Sequence, residues 1–118
     1  MIYFTPNTDK KIDFTKVDFS ALAKLQIARE IANIPFTITS HYRTPEHSEK
    51  VGGSKTDAHT RIPCGAFDIY CTNSRERLKI LRGVIEAGFK RIGLNEKHIH
   101  VDNCSDLPQD VFFIERKA

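Results

Sequence analysis

The stretch His98-Ile99-His100-Val101-Asp102 decides how the rest of this chain is interpreted. In an extended strand, successive side chains point to opposite faces, so His98, His100 and Asp102 share one face while Ile99 and Val101 share the other. The apolar pair predicts contact with a core, and the polar residues predict a site on the opposite face. Ordinary surface histidines are the alternative, which five histidines in 118 residues permit.

Two residues upstream would complete a metal site with this strand. His59 and His100 would each supply an imidazole nitrogen and Asp68 a carboxylate oxygen. Three protein ligands with an open fourth position are typical of catalytic rather than structural zinc. His98 would then lie beside the open position as a candidate base. Asp68 lies within the apolar segment 66–70, where a carboxylate is costly unless it is paired or bound to a cation. A salt bridge from Asp68 to a nearby Arg or Lys is the competing interpretation.

Length and composition indicate a single domain over residues 1–118, of ordinary globular type, with 40% hydrophobic and 28% charged residues. The net charge is +3, but Lys and Arg are scattered rather than gathered in a stripe, so we expect no nucleic-acid partner. No segment approaches the roughly 18 apolar residues of a membrane span, and the first residues lack the pattern of a signal peptide. We therefore expect a cytoplasmic product as synthesised, and a monomer.

The three cysteines are an odd number without CxxC spacing, which predicts reduced thiols. Cys64 differs from the other two because it lies between His59 and Asp68. A Cys64 thiolate could replace or supplement a metal ligand, although an inert loop thiol is the more common case.

Two segments carry the 3.6-residue period of amphipathic helices. Ser20 is the expected cap of the first helix, which should run to about Asn33. Ser74 is the expected cap of the second, with Gly88 as its C-terminal stop. The predicted buried stripes comprise Leu22, Leu25, Ala28, Ile31 and Ala32 in the first helix and Leu78, Leu81, Val84 and Ile85 in the second.

Strand patterns separate and follow these helices, after an expected arm over residues 1–17. Pro45 should begin a short helix that ends by Gly52, and residues 54–65 are expected to form a loop. The sequence thus predicts an α+β fold, with two main helices on one face of a small, mainly antiparallel sheet and the zinc site on the other. The predicted strands are 36–39, 66–70, 89–93, 97–102 and 111–114.

Several strings occur in a fixed order along residues 36–103. They are Ser40-His41-Tyr42-Arg43-Thr44-Pro45-Glu46-His47, then Val51-Gly52-Gly53, His59, Gly65-Ala66-Phe67-Asp68-Ile69 and finally His98-Ile99-His100-Val101-Asp102. Together they resemble the zinc D-Ala-D-Ala carboxypeptidase family, which shares its fold with lysostaphin and the hedgehog signalling domain.

The resemblance implies a zinc metallopeptidase that hydrolyses an amide bond in peptidoglycan stem peptides, as a D-Ala-D-Ala carboxypeptidase or an endolysin-like endopeptidase. It implies that His59, Asp68 and His100 bind Zn²⁺, and that His98 activates the attacking water or stabilises the transition state. Arg43 would hold the substrate's carboxylate or polarise its carbonyl. Some relatives use a carboxylate three residues before the last ligand, so Glu96, one residue out of register, is the second candidate base.

The resemblance leaves the setting open. Peptidoglycan or a muropeptide is the expected partner, and phage lysins without a secretion signal reach the wall through a holin. A phage particle could also carry such a domain as a structural or tail protein. A non-catalytic zinc module that works through a protein partner, like the hedgehog domain, is the alternative from another functional class.

The sequence departs from the family pattern around the first ligand. The step of nine residues from His59 to Asp68 is longer than usual, and Cys64 stands where the family usually has glycine. Asp57 replaces the usual serine two residues before His59. We therefore expect the ligand loop to bulge, and Asp57 could change the substrate charge preference or approach the metal. His41 is expected at the surface.

Overall fold

The computed structural model describes residues 2–115 and shows the predicted α+β fold. Three α-helices, five strands and one short 3₁₀ turn make up the regular structure of these residues. In chain order they are α1 Phe19–Ala32, β1 Thr37–Ser40, α2 Pro45–Lys50, the 3₁₀ turn Ala58–Thr60, β2 Phe67–Tyr70, α3 Ser74–Ala87, β3 Arg91–Leu94, β4 His98–Asp102 and β5 Val111–Ile114.

The five strands form one sheet in the order β1-β2-β4-β3-β5. Three of its four neighbouring pairs are antiparallel, and β5 runs parallel to β3 at the edge. The sheet is therefore mainly antiparallel, as predicted. Its register places Asp68, His100, Gly93 and Phe113 opposite one another on four successive strands. Because paired residues share a face, this row crosses the polar side of the sheet.

Helices α1 and α3 pack on each other and cover the apolar face, which confirms the predicted layering. Leu25 of α1 and Val84 of α3 are fully buried against strand residues of the same core. No described helix is long and apolar enough to cross a membrane. The strand residues buried in this core are Ile38, Phe67, Ile69, Ile92, Ile99 and Val101.

Both predicted helix caps were misplaced by one or two residues. The carboxylate of Asp18, not the hydroxyl of Ser20, accepts the first free N–H groups of α1. Asn73, not Ser74, does the same for α3. Asp and Asn accept from these N–H groups at least as well as Ser, so the cap is Asp18, two residues before Ser20, in α1 and Asn73, directly before Ser74, in α3.

The predicted buried stripes were wrong at three positions. Ile31, Leu78 and Ile85 are 39%, 52% and 60% exposed. In α3, Ile80 and Gly83 are buried instead. A Cβ on Gly83 would lie 2.4 Å from the carbonyl oxygen of Ala28, so the helix turns its smallest residue toward α1. Close contact with α1, rather than maximal burial of large side chains, therefore determines which face of α3 is buried.

Element boundaries also differ in the segments before the sheet and between α3 and β4. Residues 2–17 consist of turns, with an isolated bridge between Val17 and Cys64, in the segment where an arm was expected. The strand predicted at 89–93 begins at Arg91, because Gly88 ends α3 in a left-handed conformation and the N–H of Phe89 bonds back to Val84. The predicted loop at 54–65 contains the 3₁₀ turn that carries His59.

Gly83→Ala is expected to destabilise the protein by about 2 kcal/mol, since the added Cβ has backbone atoms of Ala28 in its way. Urea unfolding measures this change. Lys79→Ala, an exposed change in the same helix, is the control and should stay within about 0.5 kcal/mol of the parent. Equal stability of the two variants would contradict the close packing of α1 and α3.

Candidate metal centre

Three residues from distant parts of the chain place their donor atoms together on the polar face of the sheet. His59, Asp68 and His100 each offer one ligand atom, and these atoms all lie within 4.8 Å of one another. The Asp68 carboxylate lies between the two imidazoles, 3.2 Å from Nε2 of His59 and 2.9 Å from Nδ1 of His100. These histidines are the ion-pair partners of Asp68, and no described lysine or arginine pairs with it.

The sheet register and one short turn bring the three residues together. Asp68 and His100 are direct cross-strand partners on β2 and β4. His59 comes from the 3₁₀ turn, and its N–H donates to the carboxylate of the cap residue Asp57. The N–H of Arg43 donates to the carbonyl of His59 at 2.8 Å, which ties the turn to the loop between β1 and α2. The three residues therefore still come together, although the spacing from His59 to Asp68 is longer than usual in the family.

The second nitrogen of each imidazole is held by an oxygen. Nδ1 of His59 donates to the carbonyl of His41, and Nε2 of His100 donates to the carboxylate of Asp102 at 2.7 Å. These bonds leave His59 Nε2 and His100 Nδ1 facing Asp68, where each nitrogen can bind a metal once it carries no proton. Metal-binding histidines nearly always have such a partner, and two nitrogens with one carboxylate suit zinc. The donor set therefore fits a zinc ion.

Charge in the cluster favours a cation. Burial by itself would raise the pKa of Asp68, but hydrogen bonds from His100 and His59 outweigh it and hold this pKa well below its ordinary value. Burial would lower the pKa of His100, yet its bonds to Asp102 and Asp68 raise it to about 10. The two carboxylates thus stabilise positive charge on the atoms between them. A proton supplies this charge when no metal is bound.

Asp102 supports the cluster from behind. Its side chain is fully buried and accepts from Nε of Arg91 at 3.0 Å and from the N–H of Cys104 at 3.0 Å, besides His100. Burial opposes its charge, but the bond from His100 and the nearby positive charges lower the pKa of Asp102. This carboxylate is therefore charged and fixes the orientation of His100.

The peptidase M15 family profile matches residues 4–102, most of the sequence. The chain belongs to the peptidase M15 family. This is the zinc D-Ala-D-Ala carboxypeptidase-like family, so the resemblance drawn from the sequence motifs is confirmed, and the family indicates a zinc-dependent peptidase. No curated protein matches the chain. The match ends at Asp102, so β5 lies outside the matched region of this M15 protein.

A cleft of about 630 Å³ opens over the cluster of this M15 chain. It is lined by His59, Asp68 and His100, and also by His98 and Arg43, two of the residues that the sequence predicted as catalytic. His98 is half-buried, and its ring lies edge-on to Tyr70 with centroids 6.0 Å apart. The structure thus brings five of the six predicted site residues into one cleft.

Glu96 is the predicted site residue that the structure does not place in this cleft. It lies in the exposed turn between β3 and β4 and lines a neighbouring cavity of about 600 Å³ with Arg77 and Lys97. The chain reverses direction in this turn, so a shift of one position along the sequence moves a side chain to a different surface. The carboxylate of Glu96 is therefore a weaker candidate base than the sequence suggested.

Asp57 lies beside the cluster without joining it. Its carboxylate accepts from the hydroxyl of Ser48 and the N–H groups of Ser54 and His59, and it pairs with Nη2 of Arg43 at 3.5 Å. The group of potential metal ligands found among the described residues does not include it. Asp57 thus contacts the arginine and the ligand turn rather than the metal position.

Cys64 is buried behind the ligand turn and also lies outside the group of potential ligands. Its Sγ lies 3.7 Å from the carbonyl of His59 and 3.8 Å from that of Ala58, and burial raises the pKa of the thiol to about 11. A neutral thiol at this position fills space in a small apolar cluster with Ala58, Ala66 and Cys104. The structure favours the inert-thiol interpretation.

His41 was expected at the surface, and this expectation was wrong. Its ring is 1% exposed and stacks on Phe67 with centroids 5.0 Å apart. Its Nδ1 accepts from the N–H of Asp13, and its Nε2 donates to the carbonyl of Cys64. Burial lowers the pKa of His41, so the ring is a neutral packing residue whose backbone carbonyl orients His59.

Glu115 is a cleft residue that sequence reasoning missed. It follows β5 directly, and its Cγ lies next to Gly93, where a Cβ would be 3.0 Å away, beside the ring of Phe113. Burial raises the pKa of Glu115 above its ordinary value. The period-two pattern of Val111, Phe113 and Glu115 could have placed it on the same face as Gly93 and His100, had the strand been extended by one residue.

Proposed function

We propose that this chain hydrolyses an amide bond in peptidoglycan stem peptides with the help of a zinc ion held by His59, Asp68 and His100. The main support for the proposal is that the ligand atoms of these three residues lie together at an open cleft in a member of a peptidase family. When bound, zinc supplies Lewis-acid chemistry, which polarises a scissile carbonyl and lowers the pKa of water toward about 7.

His98 is the proposed proton carrier. It lies on the same face of β4 as His100, two residues away, and lines the same cleft. Imidazole gains and loses protons close to neutral pH, so it is suited to accept a proton from the attacking water and pass one to the leaving amine. Glu115 lines the cleft from the opposite side of Gly93 and ranks second for this role.

Arg43 is the proposed substrate-binding group. The cleft that it lines continues past Val51, Leu107 and Phe113, so polar donors and apolar surface lie side by side. An extended peptide needs both, because its amides require hydrogen-bond partners and its side chains require apolar contact. Guanidinium offers five N–H donors in a planar fork, which suits either a carboxylate or a carbonyl.

Mass spectrometry of purified muropeptides tests this function. The zinc-loaded protein should release one alanine or split the stem peptide, and a zinc chelator should stop the reaction. If the protein binds zinc but cleaves no wall peptide, the enzyme proposal fails. A zinc-containing binding module or a wall-binding phage structural protein would then be the better account.

His98→Ala is expected to lower kcat by about 100-fold or more, the usual contribution of a general acid–base group, with zinc content unchanged. Glu115→Gln separates the two proposed proton carriers in the same assay. Glu96→Gln is the matched control, since this exposed side chain lies in the neighbouring cavity. Full activity of His98→Ala together with a large loss in Glu115→Gln would reassign the role to Glu115.

A further inference from the structure

The two arginines that line the cleft are both paired with neighbouring acids. Within the described residues, two arginines and no lysine line it, together with four carboxylates. Arg91 is held by Asp102 through Nε at 3.0 and 3.2 Å. Arg43 is paired with Asp57 at 3.5 Å. A divalent ion at the cluster would only offset the remaining negative charge. A free carboxylate entering the cleft therefore meets no excess of positive charge.

The charge of Asp57 is fixed beside Arg43. Three donors besides Arg43 hold its carboxylate, namely the Ser48 hydroxyl and the N–H groups of Ser54 and His59. Gly53 packs directly against it, because a Cβ at that position would lie 2.2 Å from Oδ2. A substrate cannot displace a carboxylate held in this way without breaking the turn that carries His59. A negative group bound by Arg43 would thus lie next to a second negative charge.

Arg43 nevertheless keeps donors for a neutral partner. Its contact with Asp57 runs through Nη2 alone, at 3.5 Å, so its other terminal nitrogen stays available to the cleft that Arg43 lines. A guanidinium whose charge is balanced but whose N–H groups are free suits a peptide carbonyl, which accepts hydrogen bonds without bringing charge. The same group would bind a terminal carboxylate well only if Asp57 were neutral or absent.

We propose that the Arg43–Asp57 pair binds an internal peptide carbonyl of the substrate, so that the enzyme is an endopeptidase rather than a carboxypeptidase. This inference rests on the proposed function and names its substrate class. Asp57 is then a specificity-determining residue that selects against a terminal carboxylate beside the scissile bond.

The test compares a muropeptide pentapeptide with its C-terminal amide, using the zinc-loaded protein and mapping the cut by mass spectrometry. The parent protein should split both peptides at the same internal bond, with rates equal within about twofold. Asp57→Asn keeps an acceptor oxygen but removes the charge. It should make the protein release the terminal alanine from the free acid, a product that the parent protein does not form. Asp106→Asn makes the same chemical change outside the cleft and should leave the pattern of the parent.

Calorimetry with N-acetyl-D-alanine and its amide provides a second measurement that needs no hydrolysis. The parent should bind the two ligands equally, and Asp57→Asn should bind the acid about tenfold more tightly than the amide. Removal of the terminal alanine by the parent, or its tighter binding of the acid, would overturn the inference. If the parent cleaves neither peptide, the proposed function fails, and the binding comparison alone decides how Arg43 and Asp57 select their ligand.

Discussion

Asp68→Asn is expected to remove zinc binding and peptidase activity together. Asp68 lies between both imidazoles and carries the one carboxylate among the three proposed ligands. Replacing a partner that merely orients a ligand costs about 10- to 100-fold in metal affinity, so losing the anionic ligand itself should cost at least about 100-fold. Zinc content after dialysis and the rate of muropeptide cleavage measure the two effects.

Asp106→Asn is the matched control for this change. Asp106 is mostly exposed and pairs with Arg61 outside the cleft, and exposed ion pairs contribute little. This variant should keep its zinc and its activity. If Asp68→Asn also kept one zinc per chain, the ligand assignment would be wrong. If it lost zinc and still cleaved muropeptides, the reaction would not depend on the metal.

Local patterns predicted the half of the site that lies on strands. The alternation in His98-Ile99-His100-Val101-Asp102 places Ile99 and Val101 in the core and the other three residues toward the cleft, as the structure has them. A strand has one simple period, so the face of each residue follows from the spacing alone. Asp68 could be predicted as a site residue for a different reason, because a charged residue in an apolar strand requires a partner.

Residues whose position depends on tertiary contacts could not be predicted in this way. His41 is buried because its ring stacks on Phe67 and bonds to two segments far along the chain. Glu115 reaches the cleft because β5 pairs in parallel with β3, and Gly93 has no Cβ to meet the side chains of Phe113 and Glu115. Neither contact has a local signature. The family profile, which ends at Asp102, could not indicate Glu115 either.

The longer step between His59 and Asp68 shows why spacing alone misleads for loops. It was expected to bulge, and the structure accommodates it with the 3₁₀ turn that follows Asp57. The turn closes the cluster because its cap residue Asp57 bonds to Ser48 in α2, while the carbonyl and the imidazole of His59 both bond to the segment 41–43. The conformation of such a loop depends on where its ends lie and which groups they bond to. The number of residues between His59 and Asp68 gives neither.

Asp102→Asn is expected to lower the free energy of unfolding by about 3 kcal/mol, the typical cost of breaking a buried ion pair on one side. The side chain is fully buried and accepts from His100, Arg91 and the N–H of Cys104. An amide in its place offers one acceptor oxygen, turns two N–H donors toward groups that also donate, and leaves Arg91 without its counter-charge. Urea unfolding of the metal-free protein measures this loss.

The same substitution should weaken zinc binding by about 10- to 100-fold, because His100 loses the acceptor that fixes its ring. Asp110→Asn is the matched control. Asp110 is exposed and has a positive φ of 58°, a conformation that asparagine also adopts readily. The free energy of unfolding of the Asp110→Asn variant should therefore stay within about 0.5 kcal/mol of that of the parent. A loss of stability in Asp102→Asn with unchanged zinc affinity would show that Asp102 holds Arg91 and the fold rather than the orientation of His100. A loss of zinc affinity with unchanged stability would show the reverse.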